Sequence, residues 1–133
     1  MTQLFEPPQS DYGTPYWDAT RDERLLVPYS TTTGLPFWYP REVAPDTLTP
    51  DVDWREASGQ GIVYAVSVMH KPGPGRDPAA GPYAVALIDL PEGVRIMSNV
   101  VGIEPDAVTV GMAVTVCWHE LSDGRKLPMF QPT

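Results

Sequence analysis

Between residues 59 and 101, runs of β-branched and aromatic residues are broken by glycine and proline, which is a strand pattern rather than a helical one. If the first run is extended, Ile62, Tyr64, Val66, Val68 and His70 point one way and Val63, Ala65, Ser67 and Met69 the other. Both sets are largely apolar, so this strand is expected to be covered on both sides. Gly59 and Gly61 at its head fit a bulge that lets a long strand bend around a small barrel. Tyr83 to Leu90 and Val94 to Val101 form the next two runs, joined by the hairpin step Pro91-Glu92-Gly93. Glu104-Pro105-Asp106 predicts a turn or a single helical turn. A fourth strand opens at Gly111-Met112 and runs to Glu120, Ser122-Asp123-Gly124 turns the chain, and Arg125 to Phe130 supplies the fifth. Five strands with one irregular connection between the third and fourth predict a mainly β protein built on an OB-fold barrel over residues 58–133.

The first 57 residues have a different texture. Pro7, Pro8 and Pro15 with few aliphatics predict an extended arm over residues 1–15 that orders only by docking. Pro15 suits a first helical turn, and Tyr16 to Leu26 is the one helical segment, with Asp18, Asp22 and Glu23 early and Arg24 late. Tyr16, Trp17, Thr20 and Arg24 share a side that packs on its own domain or on a partner chain; the pattern leaves both open. From Pro28 to Pro50 five prolines exclude a long regular element, although strand pieces near Leu35–Tyr39 and Trp54–Ala57 fit. Phe37, Trp38, Tyr39 and Trp54 would form a satellite aromatic cluster.

Composition narrows the functions. The chain has 133 residues and a net charge of −8, and most of the imbalance lies in residues 1–57, at −6, against −2 for residues 58–133. A surface of this sign disfavours a phosphate backbone, although OB-folds often bind single strands. One cysteine, Cys117, allows neither an internal disulfide nor a four-thiolate metal site, and its strand context fits a small buried hydrophobe. No apolar run reaches the roughly 20 residues of a membrane span and Met1 to Pro8 lacks a signal-peptide layout, so a cytoplasmic protein is expected.

No catalytic set emerges. His70 and His119 have no nucleophile at a telling spacing and read as structural histidines. Gly73-Pro74-Gly75 lacks the Lys-Ser/Thr of a phosphate loop. Asp51 and Asp53 fit a solvated acidic surface. Lys71, Arg76, Arg95, Arg125 and Lys126 are the barrel's cations, suited to a phosphorylated cofactor tail or a partner's carboxylates, or simply to scattered surface charge. The Pro/Gly-rich connection from Lys71 to Pro82 is long enough to act as a lid.

Laid out this way, the chain resembles the acyl-CoA-associated OB-fold family known as domain of unknown function 35. The marks are Tyr16-Trp17 with Arg24-Leu25-Leu26, Gly59-Gln60-Gly61-Ile62-Val63-Tyr64, Pro82 to Leu87, Glu92-Gly93-Val94-Arg95, Asn99-Val100-Val101-Gly102 and Val110 to Val114. Members generally carry a rubredoxin-like zinc ribbon of two Cys-x-x-Cys pairs before the barrel. The matching positions here are Ser30, Thr33, Ala44 and Thr47, so residues 16–57 are expected to hold a helix and a degenerate, metal-free ribbon. The aromatic cluster and the prolines are the expected substitute for the metal.

The resemblance implies a non-catalytic accessory subunit of a thiolase-superfamily enzyme acting on acyl-CoA thioesters, in steroid or lipid side-chain breakdown among other settings. It implies no catalytic residue and no cofactor of its own. Tyr16, Trp17, Phe37 and Trp38 are the expected partner interface, and Tyr64, His70, Tyr83, Arg95 and Asn99 the barrel positions nearest an acyl-CoA. The alternative is a stand-alone module that binds acyl-CoA or another hydrophobic ligand.

Overall fold

The computed structural model describes residues 6–73 and 75–133. Seven strands and one α-helix form two sheets. The first is a two-stranded ribbon of β1 (Leu26–Ser30) and β2 (Val52–Glu56). The second is the closed OB barrel that the alternation predicts: β3 (Gln60–Met69), β4 (Tyr83–Asp89), β5 (Arg95–Val100), β6 (Ala113–Glu120) and β7 (Lys126–Pro132), in the spatial order β3-β4-β5-β7-β6. Pairing is antiparallel except between β5 and β7, which meet in parallel at Val100 and Phe130. Val63, Ile88, Val114 and Phe130 are fully buried inside, with Ala84, Ala86, Ile96 and Val100 around them.

The alternation of β3 reverses partway along. Register pairs Val63–Ile88 and Ala65–Leu87 leave Tyr64 as an extra residue, so the bulge sits there and not at Gly59 and Gly61. Ahead of it Gly61 and Val63 face the core; beyond it Val66 and Val68 take the inner side, which corrects the unbroken two-face pattern. Gly61 serves close approach instead, because a Cβ there would run into Ile88 Cγ2.

The helix, α1 (Thr14–Arg21), is shorter than expected. Glu23 takes φ 57°, which ends the helix and sends Leu26 into β1. Arg24 therefore leaves the helical face and pairs with Glu56 at 2.7 Å. Tyr16, Ala19 and Thr20 are buried, and the Thr20 hydroxyl donates to the Trp17 carbonyl at 2.6 Å while accepting from the Lys126 amide at 3.2 Å. Ahead of the helix, the Glu6 carboxylate accepts from the Ser122 amide and hydroxyl at 2.7 and 2.6 Å. The described part of the arm thus docks on the β6–β7 turn of its own barrel.

The ribbon contains a short strand, β1, that the sequence reading did not anticipate. Pro28 lies inside β1 because its nitrogen and carbonyl face away from β2, toward the Phe37 amide, which donates to that carbonyl at 3.0 Å. Leu35–Tyr39 makes only an isolated bridge from Pro36 to Tyr29, and β2 replaces the strand expected at Trp54–Ala57.

The positions matching the metal-binding cysteines do not fit a zinc ion: three are hydroxyls and Ala44 offers no ligand atom. A carboxylate sits at their junction instead. Asp51 accepts from the Ser30 hydroxyl through one oxygen and from the Thr47 hydroxyl through the other, both at 2.8 Å. The Ser30 oxygen in turn accepts from the amides of Thr32 and Thr33, Thr33 donates to Asp46, and the Asp51 carbonyl accepts from the Thr31 amide at 2.8 Å. Hydroxyl donors, Thr32 foremost and then Thr47 and Ser30, hold the Asp51 carboxyl well below the usual carboxylate range. The aromatic residues contribute unevenly to the same end: Phe37 is buried, Trp38 and Trp54 pack on the barrel core, and Tyr39 is exposed.

Candidate functional site

Because β5 and β7 pair only at Val100 and Phe130, they splay apart toward Ile96, where Ser98 bridges the gap by donating to the Pro128 carbonyl at 2.9 Å. The opening is a groove of about 390 Å³, floored by Ile96, Leu127 and Pro128 and walled by Tyr16 and Trp38 on one side and Tyr83, Val85 and Asn99 on the other. Tyr16 and Trp38 meet edge to face at 5.6 Å, which fixes the aromatic wall. Burial pushes the Tyr16 phenol well above its ordinary value, so it stays neutral. The loop between β3 and β4 reaches over the far side: Gly73 and Arg76 line the groove, and the Arg76 guanidinium stacks 3.5 Å from the Tyr83 ring centre. The groove is thus mostly apolar with one cation and one amide at its mouth, the composition of a site for a hydrophobic group that carries an anionic end.

Tyr83 and Asn99 come together at this groove; the Asn99 amide nitrogen donates to the Ala84 carbonyl at 2.9 Å, which orients it. Tyr64 and Arg95 form a second cluster toward the other end of the same sheet. Arg95 lies 3.3 Å from the Tyr64 ring centre and makes a two-pronged ion pair with Asp89 at 2.6 and 3.2 Å. That guanidinium holds the Asp89 carboxyl below its usual range. Met97, on the outer face of β5 between Arg95 and Asn99, separates the clusters. His70 joins neither; it lies exposed just past the end of β3.

The four residues expected at a partner interface are engaged within the chain. Tyr16 and Phe37 are buried, while Trp17 and Trp38 keep part of their surface. Trp17 stacks edge-on against Tyr16 at 5.0 Å and lies 4.8 Å under the guanidinium of buried Arg125, which pairs with Asp123 at 2.7 Å. The groove residues that the sequence reading passed over are Val85, Ile96, Met97, Ser98, Leu127 and Pro128; Arg76 was named only among the barrel's cations. Alternation along β4 and β5 carries the signal for Val85 and Met97; nothing local marks the β5–β7 gap.

Burial raises the Cys117 thiol, the opposite of what a nucleophile needs. Among the described residues no helix is long and apolar enough to cross a membrane.

The family model for the ChsH2 C-terminal OB-fold domain matches residues 54–119. A probable enoyl-CoA hydratase alpha subunit of Thermomonospora curvata is 36% identical over 118 residues, which cover 88% of this chain and 36% of that protein. The chain therefore spans little more than a third of that relative's length. A DUF35 domain-containing scaffold protein of Methanocaldococcus jannaschii is 31% identical over 91 residues, covering 68% of this chain and 64% of the relative. A solved chain described as Ltp2-ChsH2(DUF35) aldolase superposes with a TM-score of 0.83 at 34% identity, covering 96% of this chain and 98% of that one. With a third of its residues identical to that DUF35 chain over nearly the full length of both, the chain belongs to the DUF35 OB-fold family.

Proposed function

We propose that this chain is a non-catalytic accessory subunit that binds and stabilises a thiolase-superfamily enzyme acting on acyl-CoA, in steroid or lipid side-chain breakdown. The observation that carries the reading is its likeness, over nearly its full length, to one chain of a two-protein aldolase. The scaffold naming of the Methanocaldococcus relative supports it further. In this reading the partner supplies the reactive groups. The seam groove, with Tyr83, Asn99 and Arg76 at its mouth, walls part of the acyl or pantetheine path, and Tyr64 and Arg95 lie further along the same sheet. His70 is the expected ligand residue that this geometry supports least. Co-expression with a thiolase-superfamily protein of the same organism should yield a co-purifying complex by affinity capture and sedimentation. A chain that stays monomeric beside that protein overturns the proposal.

The groove's apolar lining and single cation also favour a second reading, a free-standing acyl-CoA or hydrophobic-ligand module. Calorimetry with octanoyl-CoA on the isolated chain separates the two. The accessory role requires negligible heat, and the free-standing role requires saturable binding that weakens in Arg76→Ala.

A further inference from the structure

Among the described residues, the outer face of β3, β4 and β5 is a sheet surface capped at its margins by the guanidinium groups of Arg76, over Tyr83, and Arg95, over Tyr64, and left open at Met97. Past the Tyr64 bulge the register places Ala65, Leu87 and Met97 in one row across the three strands, and Ser67, Val85 and Asn99 in the next. Met69 and Tyr83 extend it at one end, and Tyr64 with the Arg95–Asp89 pair closes the other. Met97 is 59% exposed, Tyr64 50% and Met69 40%, with half-buried Ala65, Leu87 and Val85 between them, and the face adjoins the seam groove through Val85 and Asn99. The ribbon also exposes Leu35, Tyr39, Val43 and Leu48, but these sit on turns and loops, not in register on one sheet.

Charge says what fits there. The strand positions of this face carry one acid, Asp89, already paired with Arg95, and the loop adds Lys71 and Arg76, the latter over Tyr83, against one acid, Asp77. A locally cationic, apolar face on a chain of net charge −8 is the reverse of the molecule as a whole. A second copy of the same chain brings the same cations to the face and eight more negative charges to the pair, so it is a poor occupant.

We infer that the outer face of β3–β5, centred on Met97, is the docking surface for a different polypeptide whose contact patch is apolar with an acidic rim. This rests on the accessory-subunit reading and places the docking on the barrel sheet, not on the aromatic helix and ribbon. Met97 and Leu87 would fill the dry centre, and Arg76 and Arg95 would face the rim, where they govern encounter rate and salt dependence.

The test uses the complex with the thiolase-superfamily protein that co-purifies with the chain, with affinity measured by surface plasmon resonance. Met97→Glu should weaken binding by ~30-fold or more, as expected when a central apolar contact becomes a charge facing acids. Its melting temperature should match the parent, since the side chain is exposed. Arg76→Glu should weaken binding several-fold at low salt and much less at 1 M salt. Leu48→Arg, on the ribbon, should bind as the parent does. Parent-like binding by Met97→Glu, or loss of binding in Leu48→Arg alone, overturns the inference while leaving the accessory role intact. Failure of the parent chain to bind overturns both. A parent chain that self-associates at micromolar concentration, and that Met97→Glu renders monomeric, overturns the choice of occupant.

Discussion

Inside the barrel the large, fully buried side chains are all apolar, Phe130, Ile88, Val63 and Val114, whereas the ribbon fully buries a hydroxyl, that of Ser30, beside the apolar Val27, Pro28 and Ala44. The barrel is held by area removed from water, which falls off gradually as atoms are lost. The junction is held by donors converging on the Asp51 carboxylate, where removing one partner strands the rest. At the positions where the resemblance implies a tetrahedral metal site, this chain has a double acceptor at the centre and hydroxyls at three of the four.

The contrast can be attacked from its strongest side first. Phe130→Ala, at the point where β5 meets β7, should cost about 3–5 kcal/mol in thermal or urea denaturation. A loss under about 1 kcal/mol would mean that the seam, and not the core, sets stability. Trp38→Ala should cost about 2–3 kcal/mol, less than for a fully buried indole because part of Trp38 is exposed. A melt identical to the parent's would remove the aromatic contribution to the ribbon altogether.

Asp51→Ala should leave the buried Ser30 hydroxyl without its acceptor and lower the melting temperature by less than Trp38→Ala does. The pH dependence sharpens this. The folded Asp51 carboxyl titrates below its unfolded value, so its stabilisation is complete above the ordinary carboxylate range and is lost as pH falls through that range toward the folded value. Asp51→Asn should therefore be less stable than the parent at pH 7, with the gap narrowing as the solution is acidified; a gap independent of pH would refute the ionised hub. The smallest expected effect is none: melting with and without EDTA should coincide, because the residues at the cysteine-matching positions offer no zinc site.

How far the sequence could be read followed the same division. Five barrel strands, the Pro91-Glu92-Gly93 hairpin with Gly93 at φ 104°, and the single turn at Pro105–Ala107 were all legible, since period-two alternation and turn residues are local signals. The Tyr64 bulge was not, because its register shift is fixed by how β3 pairs with β4. β1 was hidden by Pro28, whose tolerance depends on which neighbour its missing amide would have faced. At the candidate site, Tyr83 and Asn99 line one groove, but that groove arises from two strands diverging 30 residues apart, as the Ser98–Pro128 contact shows. Asp51 was passed over as surface charge, since only the fold brings Ser30 and Thr47 to it.

The Asp51 junction has one further consequence. Thiolates that grip a metal are oxidised by peroxide, and the ion leaves when they are. Alcohols and a carboxylate have no such weakness, so the ribbon's shape should be indifferent to oxidative stress and to zinc starvation.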